Sequence, residues 1–252
     1  MPLESTQSPQ PPGVPAAADA PLQARVQELE AAMTRLTGNI GHDLRAPLRV
    51  ASGFLSMLEE DHGAAMNEDG LHLLAVAQRQ LAHMEVLLAA LLALAEADSA
   101  VIEPAPLPMA RMVTEIAALA TSDGGVTLEI GSLADACGDR ALVAQVWRAL
   151  LDNAYRFTRS VAHPVITISS RRSEGMVRYS VRDNGIGFER SRAGTLFEPF
   201  TRLHPSSEDG NNGAGCGLAI ARRIIVRHGG SIDAHSRPQH GTTVEFSLPA
   251  AP

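Results

Sequence analysis

His42 and Asp43 stand side by side in GHDLRAPL, Gly41 to Leu48. An imidazole beside a carboxylate can act as a nucleophile, because the carboxylate holds the ring through one nitrogen and sharpens the other. The chain holds nine histidines, so taken alone this pair reads more readily as a surface histidine on a solvated helix face. A second stretch, LLDNAYRFT from Leu150 to Thr158, carries Asn153 and, three residues on, Arg156. An amide oxygen is a suitable hard ligand for Mg²⁺, and a nearby cation neutralises phosphate charge. Alone, that stretch is also an ordinary amphipathic helix.

A third stretch, DNGIGF from Asp183 to Phe188, follows the apparent strand MVRYSVR. Val177, Tyr179, Val181 and Asp183 share one parity, so Asp183 is expected to point where the core points. A buried carboxylate needs a donor, and the exocyclic amine of adenine is one. Gly185 and Gly187 would let backbone approach a ligand. The competing reading is an Asn-Gly hairpin turn, which does not call for the second glycine. A fourth stretch, GAGCGLAIARRIIVRHGG, places Gly213, Gly215 and Gly217 ahead of a helix opening with Leu218. Glycine-rich backbone at a helix N-terminus suits phosphate, although the spacing fits neither a Walker A loop nor a dinucleotide fingerprint. Between the last two lies LFEPFTRL, a short apolar segment in a long polar loop, which reads as a lid or a flexible segment.

The elements that must position these residues fall into two blocks. Residues 1–21 hold six prolines and neither a basic nor an apolar leader pattern, so they read as a disordered tail. From Val26 through Leu29, Met33, Leu36 and Ile40 the apolar residues repeat every three or four, the seam of a coiled coil. The rhythm continues less regularly to Leu58, predicting one helix over about 22–61, kinked at Pro47. Residues 62–70 read as breakers, and a second helix follows through Leu71, Leu74, Leu81, Leu88 and Ala95, with Met84 and Leu91 on the same face. One hairpin over 22–99 cannot bury both seams, so a homodimer forming a four-helix bundle is expected. Pro104, Pro106 and Pro108 mark a boundary. Over 104–250 the pattern predicts helices at 109–120, 139–157 and 216–228. Strands are predicted at 126–130, 165–170, 176–182, 231–236 and 242–248, with a loop over 189–214: helices on one face of a mixed sheet.

The bulk numbers narrow the functions. A net charge of -7 argues against nucleic acid, whose phosphates demand a basic surface. Two cysteines do not make a disulfide framework and fit a reducing compartment. The longest apolar run, 86–95, is about half of what a membrane span needs, so a cytoplasmic protein without membrane insertion is expected. Aromatics are 4%, so the core is expected to be Leu, Val, Ile and Ala.

Together, and in this order, the motifs resemble the two-component sensor histidine kinases, with wording similar to the phytochrome-like branch. The likeness covers roughly residues 30–249: a phosphoacceptor box (His42), an N box (Asn153), a first glycine box (Asp183, Gly185, Gly187), an F box (Phe197, Pro199, Phe200), a second glycine box (Gly213, Gly215, Gly217) and a closing turn, Gly241-Thr242. It implies an α+β protein: a dimerisation and histidine phosphotransfer hairpin, then an α/β sandwich of the type shared with gyrase, Hsp90 and MutL. It also implies that Asp183 reads adenine, Asn153 holds Mg²⁺, Arg156 (usually lysine) touches phosphate, 189–214 is an ATP lid, and ATP phosphorylates His42. The phosphoryl group would pass to an aspartate of a separate response-regulator receiver domain, with input from an upstream sensor protein or the coiled-coil start. Four positions depart from the pattern: Ala149 for an asparagine, Cys216 for a leucine, Gln239 for a glycine, and Ala46 where relatives with phosphatase activity carry Thr or Asn. Ala46 implies weak phosphatase activity. The other three motivate an alternative, a degenerate kinase serving as scaffold or phosphotransfer partner. A related ATPase or protein-serine kinase of the same fold is a weaker option, against which the His-Asp pair argues.

Overall fold

Proline decides how early the first helix can start. The computed structural model describes residues 19–120, 125–201 and 214–251, and in the first helix it describes side chains only at Arg25, Gly38, Ile40, Gly41 and from Asp43 onward. Helix α1 spans Asp19–His62, so it enters the expected tail by three residues. Pro21 is tolerated there because first-turn N–H groups have no intrahelical partner. Residues 1–18 and the side chains of Val26, Leu29, Met33 and Leu36 lie outside the described residues. The helix runs on through Pro47, which withholds the donor that the Asp43 carbonyl would otherwise meet.

Helix α2 spans Glu68–Ser99, starting inside the stretch expected to break. Asn67 is its N-cap, its side chain accepting from the Gly70 N–H at 2.8 Å, with Glu68 and Asp69 in the first turn. Leu74 and Leu88 of α2 and Leu48 of α1 are buried. Gly41 is buried as well, and a Cβ there would meet Leu92 Cδ2 at 2.3 Å, so close approach of the two helices is written into this position. Along the hairpin Ile40, Leu44, Val50, Phe54, Met57, Leu71, Leu73, Met84 and Leu91 stay exposed, Phe54 and Leu73 at 67%. Met84 and Leu91, like Leu71 of the same expected seam, are not covered within the single chain. By length and composition α2 is apolar enough to cross a membrane, with a stretch of mean hydropathy 1.4; the run-length reading of the sequence had passed over this.

Beyond the hairpin come β1 (Ala105–Leu107), α3 (Met109–Ala120), β2 (Thr127–Ile130), β3 (Ala136–Gly138), α4 (Arg140–Thr158), β4 (Val165–Ser173), β5 (Met176–Asp183), α5 (Gly217–Arg227), β6 (Ile232–Ser236) and β7 (Thr242–Pro249). The main sheet has the order β2-β4-β5-β7-β6, with β2 parallel to β4 and the other pairs antiparallel. Strands β1 and β3 form a separate two-stranded ladder that places Pro106 opposite Cys137, so the proline run is part of the fold and not only a boundary. A 3₁₀ turn, Arg190–Thr195, occupies the start of the expected loop.

Helices α3, α4 and α5 cover one face of the sheet and bury Val146, Trp147, Leu150, Ile224 and Ile225 against Ile166, Ile168, Val177 and Phe246. Despite the low aromatic content, three aromatics sit at the centre. Trp147 meets Tyr179 and Phe246 edge-on at 5.6 and 5.1 Å, and those two stack on each other. The low count limits how many aromatics there are, not where they go.

Helix α4 begins as its sequence suggests. Asp139 caps it, Oδ1 accepting from the Ala141 and Leu142 N–H groups at 2.9 and 3.1 Å. Burial works to raise this carboxyl, but the N–H groups of Leu142, Glu103 and Ala141, with His228 nearby, hold it below its usual range. A carboxylate so depressed adds stability above its unfolded-state pKa, and the gain is lost as pH falls through the lower folded value. Asp139→Ala is expected to cost about 1 kcal/mol near neutral pH, measured by urea unfolding. The difference should shrink toward pH 3; a constant difference would point to packing instead of the charged cap.

Candidate nucleotide and phosphoacceptor site

The parity argument for Asp183 is realised in the coordinates. Strand β5 alternates so that Val177, Tyr179, Val181 and Asp183 are all buried, Asp183 at 6% exposure. Its Oδ1 accepts from the N–H groups of Gly185 (2.8 Å) and Thr242 (3.2 Å). Oδ2 takes no hydrogen bond among the described residues. Burial raises the Asp183 carboxyl above its ordinary value, and the two backbone donors oppose that rise. A buried, negatively charged acceptor with one oxygen unspent is what an amine-bearing ring would satisfy.

The segment after Asp183 is not a hairpin turn, since β5 pairs with β4 and β7 and a 3₁₀ turn follows. It is pinned residue by residue. The Asn184 side chain accepts from the Val165 N–H and donates to the His163 carbonyl. The Ile186 N–H donates to the Phe157 carbonyl at the end of α4, and the Phe188 N–H to Ser236 Oγ. A Cβ on Gly185 would lie 2.4 Å from the Phe157 carbonyl oxygen, and Gly187, at φ 61°, would meet the Arg237 carbonyl oxygen at 2.2 Å. Both glycines are thus required by the fold itself.

Ser236 went unnoticed in the sequence. Its Oγ accepts from Phe188 and donates to the Gly241 carbonyl, tying the loop after β5 to the β6–β7 turn whose Thr242 N–H reaches Asp183. In that turn Gln239 has φ 64°, where the resemblance expects glycine. The left-handed conformation is strained for a residue with a Cβ. The Gln239 N–H donates to the Ile186 carbonyl at 2.8 Å, a bond glycine would keep. Gln239→Gly is therefore expected to leave stability equal or raise it by up to about 1 kcal/mol, strain relief being partly offset by unfolded-chain entropy. A loss in chemical denaturation would show the glutamine side chain to be structural.

The start of α5 has the backbone chemistry that an anion could use. Cys216 stands at its N-cap without a side-chain cap bond, and the first N–H groups of a helix that lack such a cap can meet an acceptor. Gly215, at φ 74°, packs against the Thr201 carbonyl at the end of the LFEPFTRL segment. Gly217 opens the helix, with Ala149 Cβ at 3.5 Å from where its own Cβ would sit. The small side chain at 149 therefore admits the helix end. Gly213 lies outside the described residues. On α4, Asn153 is half-buried and Arg156 exposed, and neither side chain makes a hydrogen bond or ion pair among the described residues. Leu218 is half-buried on α5. Among the described residues no three His, Cys, Asp or Glu side chains gather as a metal cluster. The Asn153 amide oxygen, one helical turn on from the Ala149 that meets Gly217, fits a cation held mainly by phosphates and water.

On the hairpin, His42 lies within α1 and its side chain falls outside the described residues, whereas Asp43 and Ala46 are exposed.

The layered sandwich and the helical hairpin each match a known family, an ATPase domain and a phospho-acceptor domain. Residues 138–252 match the family model of histidine kinase-, DNA gyrase B- and HSP90-like ATPases, and residues 32–100 match the His Kinase A phospho-acceptor domain. The chain belongs to the two-component sensor histidine kinases and carries their catalytic core. It is 34% identical over 239 residues to the methanogenesis regulatory histidine kinase FilI of Methanothrix harundinacea, covering 90% of this chain and 26% of that protein. To the phytochrome-like protein Cph1 of Synechocystis it is 31% identical over 213 residues, covering 82% and 28%. The chain thus spans just over a quarter of the length of these two relatives. Full-length ShkA in complex with AMPPNP superposes with a TM-score of 0.64 at 22% identity, over 86% of this chain and 46% of that one. The histidine kinase AdeS of Acinetobacter baumannii gives 0.57 at 21%, over 84% and 98%. At these identities the structures bear on the fold alone.

Proposed function

We propose that this chain is an ATP-dependent protein histidine kinase that phosphorylates His42 and hands the phosphoryl group to an aspartate of a response-regulator receiver domain. The observation that carries the reading is Asp183, a buried carboxylate with one oxygen unspent, in the same domain as the uncapped, glycine-lined start of α5. The first would take the adenine amine and the second the phosphates. The hairpin over 22–99 would present the acceptor, and residues 104–250 would form the catalytic domain.

In the reaction His42 supplies a ring nitrogen lone pair to the γ-phosphorus. An N–P bond forms, the bond from the γ-phosphorus to the β–γ bridging oxygen breaks, and ADP departs. Catalysis is positioning and charge neutralisation, since phosphoryl transfer asks little covalent chemistry of the protein. Asn153 would hold Mg²⁺, which when bound neutralises charge on the phosphates. Arg156, exposed and without a protein partner among the described residues, would add a second positive charge. The acid Asp43, next to the acceptor, would orient the ring and keep one nitrogen basic.

The exposed apolar residues Val50, Phe54, Met57, Leu73 and Met84 support a homodimer, because a hairpin leaves too much apolar surface in water. The same pairing would cover α2, whose other sides are taken by α1 and the catalytic domain, so no membrane insertion of α2 is proposed and the chain would work in the cytoplasm. An upstream sensor would act through α1. Incubation with γ-labelled ATP and Mg²⁺ tests the whole: base-stable, acid-labile label on the chain is the expected result. Nucleotide binding without label would overturn it in favour of a scaffold.

A further inference from the structure

Helix α2 has no basic residue in its last turn, although the carbonyls there lack intrahelical partners and attract cations. The catalytic domain supplies them. Arg227 of α5 donates from Nη1 to the Ala97 carbonyl at 2.8 Å and from Nη2 to the Ala100 carbonyl at 2.6 Å. One turn earlier, Arg223 pairs with the Asp98 carboxylate and reaches the Leu94 carbonyl at 3.5 Å. Between the two helices Leu94 and Ala97 are 4% and 1% exposed and belong to the core of the catalytic domain, with Leu87, Ala90 and Ala93 packed against it. The seam expected on α2, Leu71 to Ala95, did not include these residues; the catalytic domain of the same chain buries them.

We propose that Arg223 and Arg227 are positioning residues for phosphoryl transfer, clamping the catalytic domain to α2 so that the phosphate-binding end of α5 is set level with the turn that carries His42. The order of contacts fixes the sense: Arg223 meets residues 94 and 98, and Arg227 meets 97 and 100, so α5 and α2 run the same way. Six residues lead back from Arg223 to Gly217, and six lead back from Asp98 to Leu92, roughly 9 Å of helix on each side. Leu92 is the residue packed against Gly41, the neighbour of His42. The clamp therefore brings the start of α5 to the acceptor's height along the bundle. In a two-fold bundle whose axis runs along the helices, the partner copy's acceptor stands at that same height, so the register serves transfer within a chain or between chains.

The Arg223–Asp98 pair is exposed, and such pairs add little to stability. What the clamp contributes is geometry: a misplacement of about 1 Å can slow a reaction on the order of 100-fold. The inference rests on the kinase reading, and the experiment keeps the two apart. In the full chain, nucleotide affinity (a fluorescent ADP analogue) and the initial rate of His42 labelling at saturating Mg·ATP are measured for wild type, R223A/R227A, the mild surface variant Asp98→Asn, R223D, and the charge swap R223D/D98R. Expected are nucleotide affinities within about twofold of wild type, a labelling rate reduced roughly 10- to 100-fold in the double variant, a smaller drop for Asp98→Asn, and partial recovery in the swap over R223D alone. Rates unchanged in R223A/R227A or in Asp98→Asn would overturn the proposal. So would a faster rate, which would make the clamp a brake. A wild-type chain that binds ADP but takes no label sinks the kinase reading itself, and the clamp's role with it.

Discussion

Replacing His42 by glutamine is expected to lower the base-stable label from γ-labelled ATP at least about 100-fold, to background, while nucleotide binding is unchanged. Glutamine keeps a polar side chain of similar reach but has no basic nitrogen lone pair to form an N–P bond. The substitution should leave α1 intact. Glutamine is a better helix former than histidine, and the contacts that seat this part of α1 come from its neighbours: Gly41, buried against Leu92, and Leu48, buried about two turns further on. Helix content by circular dichroism and ADP affinity should therefore match wild type. If the variant were labelled as strongly as wild type, one of the other eight histidines would be the acceptor, and the resemblance of GHDLRAPL to a phosphoacceptor box would be accidental.

Much of the nucleotide side could be read from residue order because the fold makes local demands there. The two-residue period put Asp183 on the buried face before any coordinate did, and Asp139 announced α4 as a short acid ahead of an apolar repeat. The glycine boxes were legible for a reason beyond ligand binding: Gly185 and Gly187 have carbonyl oxygens of other segments where a Cβ would be. What stayed hidden depends on partners distant in sequence. Strands β1 and β3 are three residues each and are defined by pairing with segments distant in sequence, so neither has a period to detect. Ser236 matters because two turns meet at its hydroxyl, and a lone serine carries no such message. The partner of the end of α2 was not legible, since an apolar stripe says that it must be covered and not by what; Leu94 and Ala97 join the core of the catalytic domain, with Arg223 and Arg227 at the rim. The start of α2, by contrast, was readable and passed over: Asn67 followed by Glu68 and Asp69 is an N-cap with acids in the first turn.

Asp183→Asn separates folding from binding, with opposite signs. The amide oxygen can take over the role of Oδ1 and accept from the Gly185 and Thr242 N–H groups. The other atom changes from an acceptor to an NH₂ donor, aimed where an adenine amine would itself donate. Two donors facing each other cannot bond, and a charge-assisted hydrogen bond is worth about 1.5–3 kcal/mol. Nucleotide affinity should therefore fall roughly 10- to 100-fold or more, read by titration with a fluorescent ADP analogue, and His42 labelling should fall with it. Stability should move the other way. Burial raises the folded-state pKa of Asp183. A carboxyl so shifted contributes most below its unfolded-state value and loses that contribution as pH rises through the folded one. Where the carboxyl is ionised, its charge is therefore a cost to the nucleotide-free protein. The neutral amide removes that cost, so the unliganded variant should unfold at the same or a higher urea concentration than wild type, with the gap closing as pH drops toward the ordinary carboxylate range. A variant that binds nucleotide as wild type does would mean that the inward carboxylate serves the fold alone. One that lost both binding and stability would mean that the charged form of Asp183 is itself structural, held by Gly185 and Thr242 more tightly than its burial opposes.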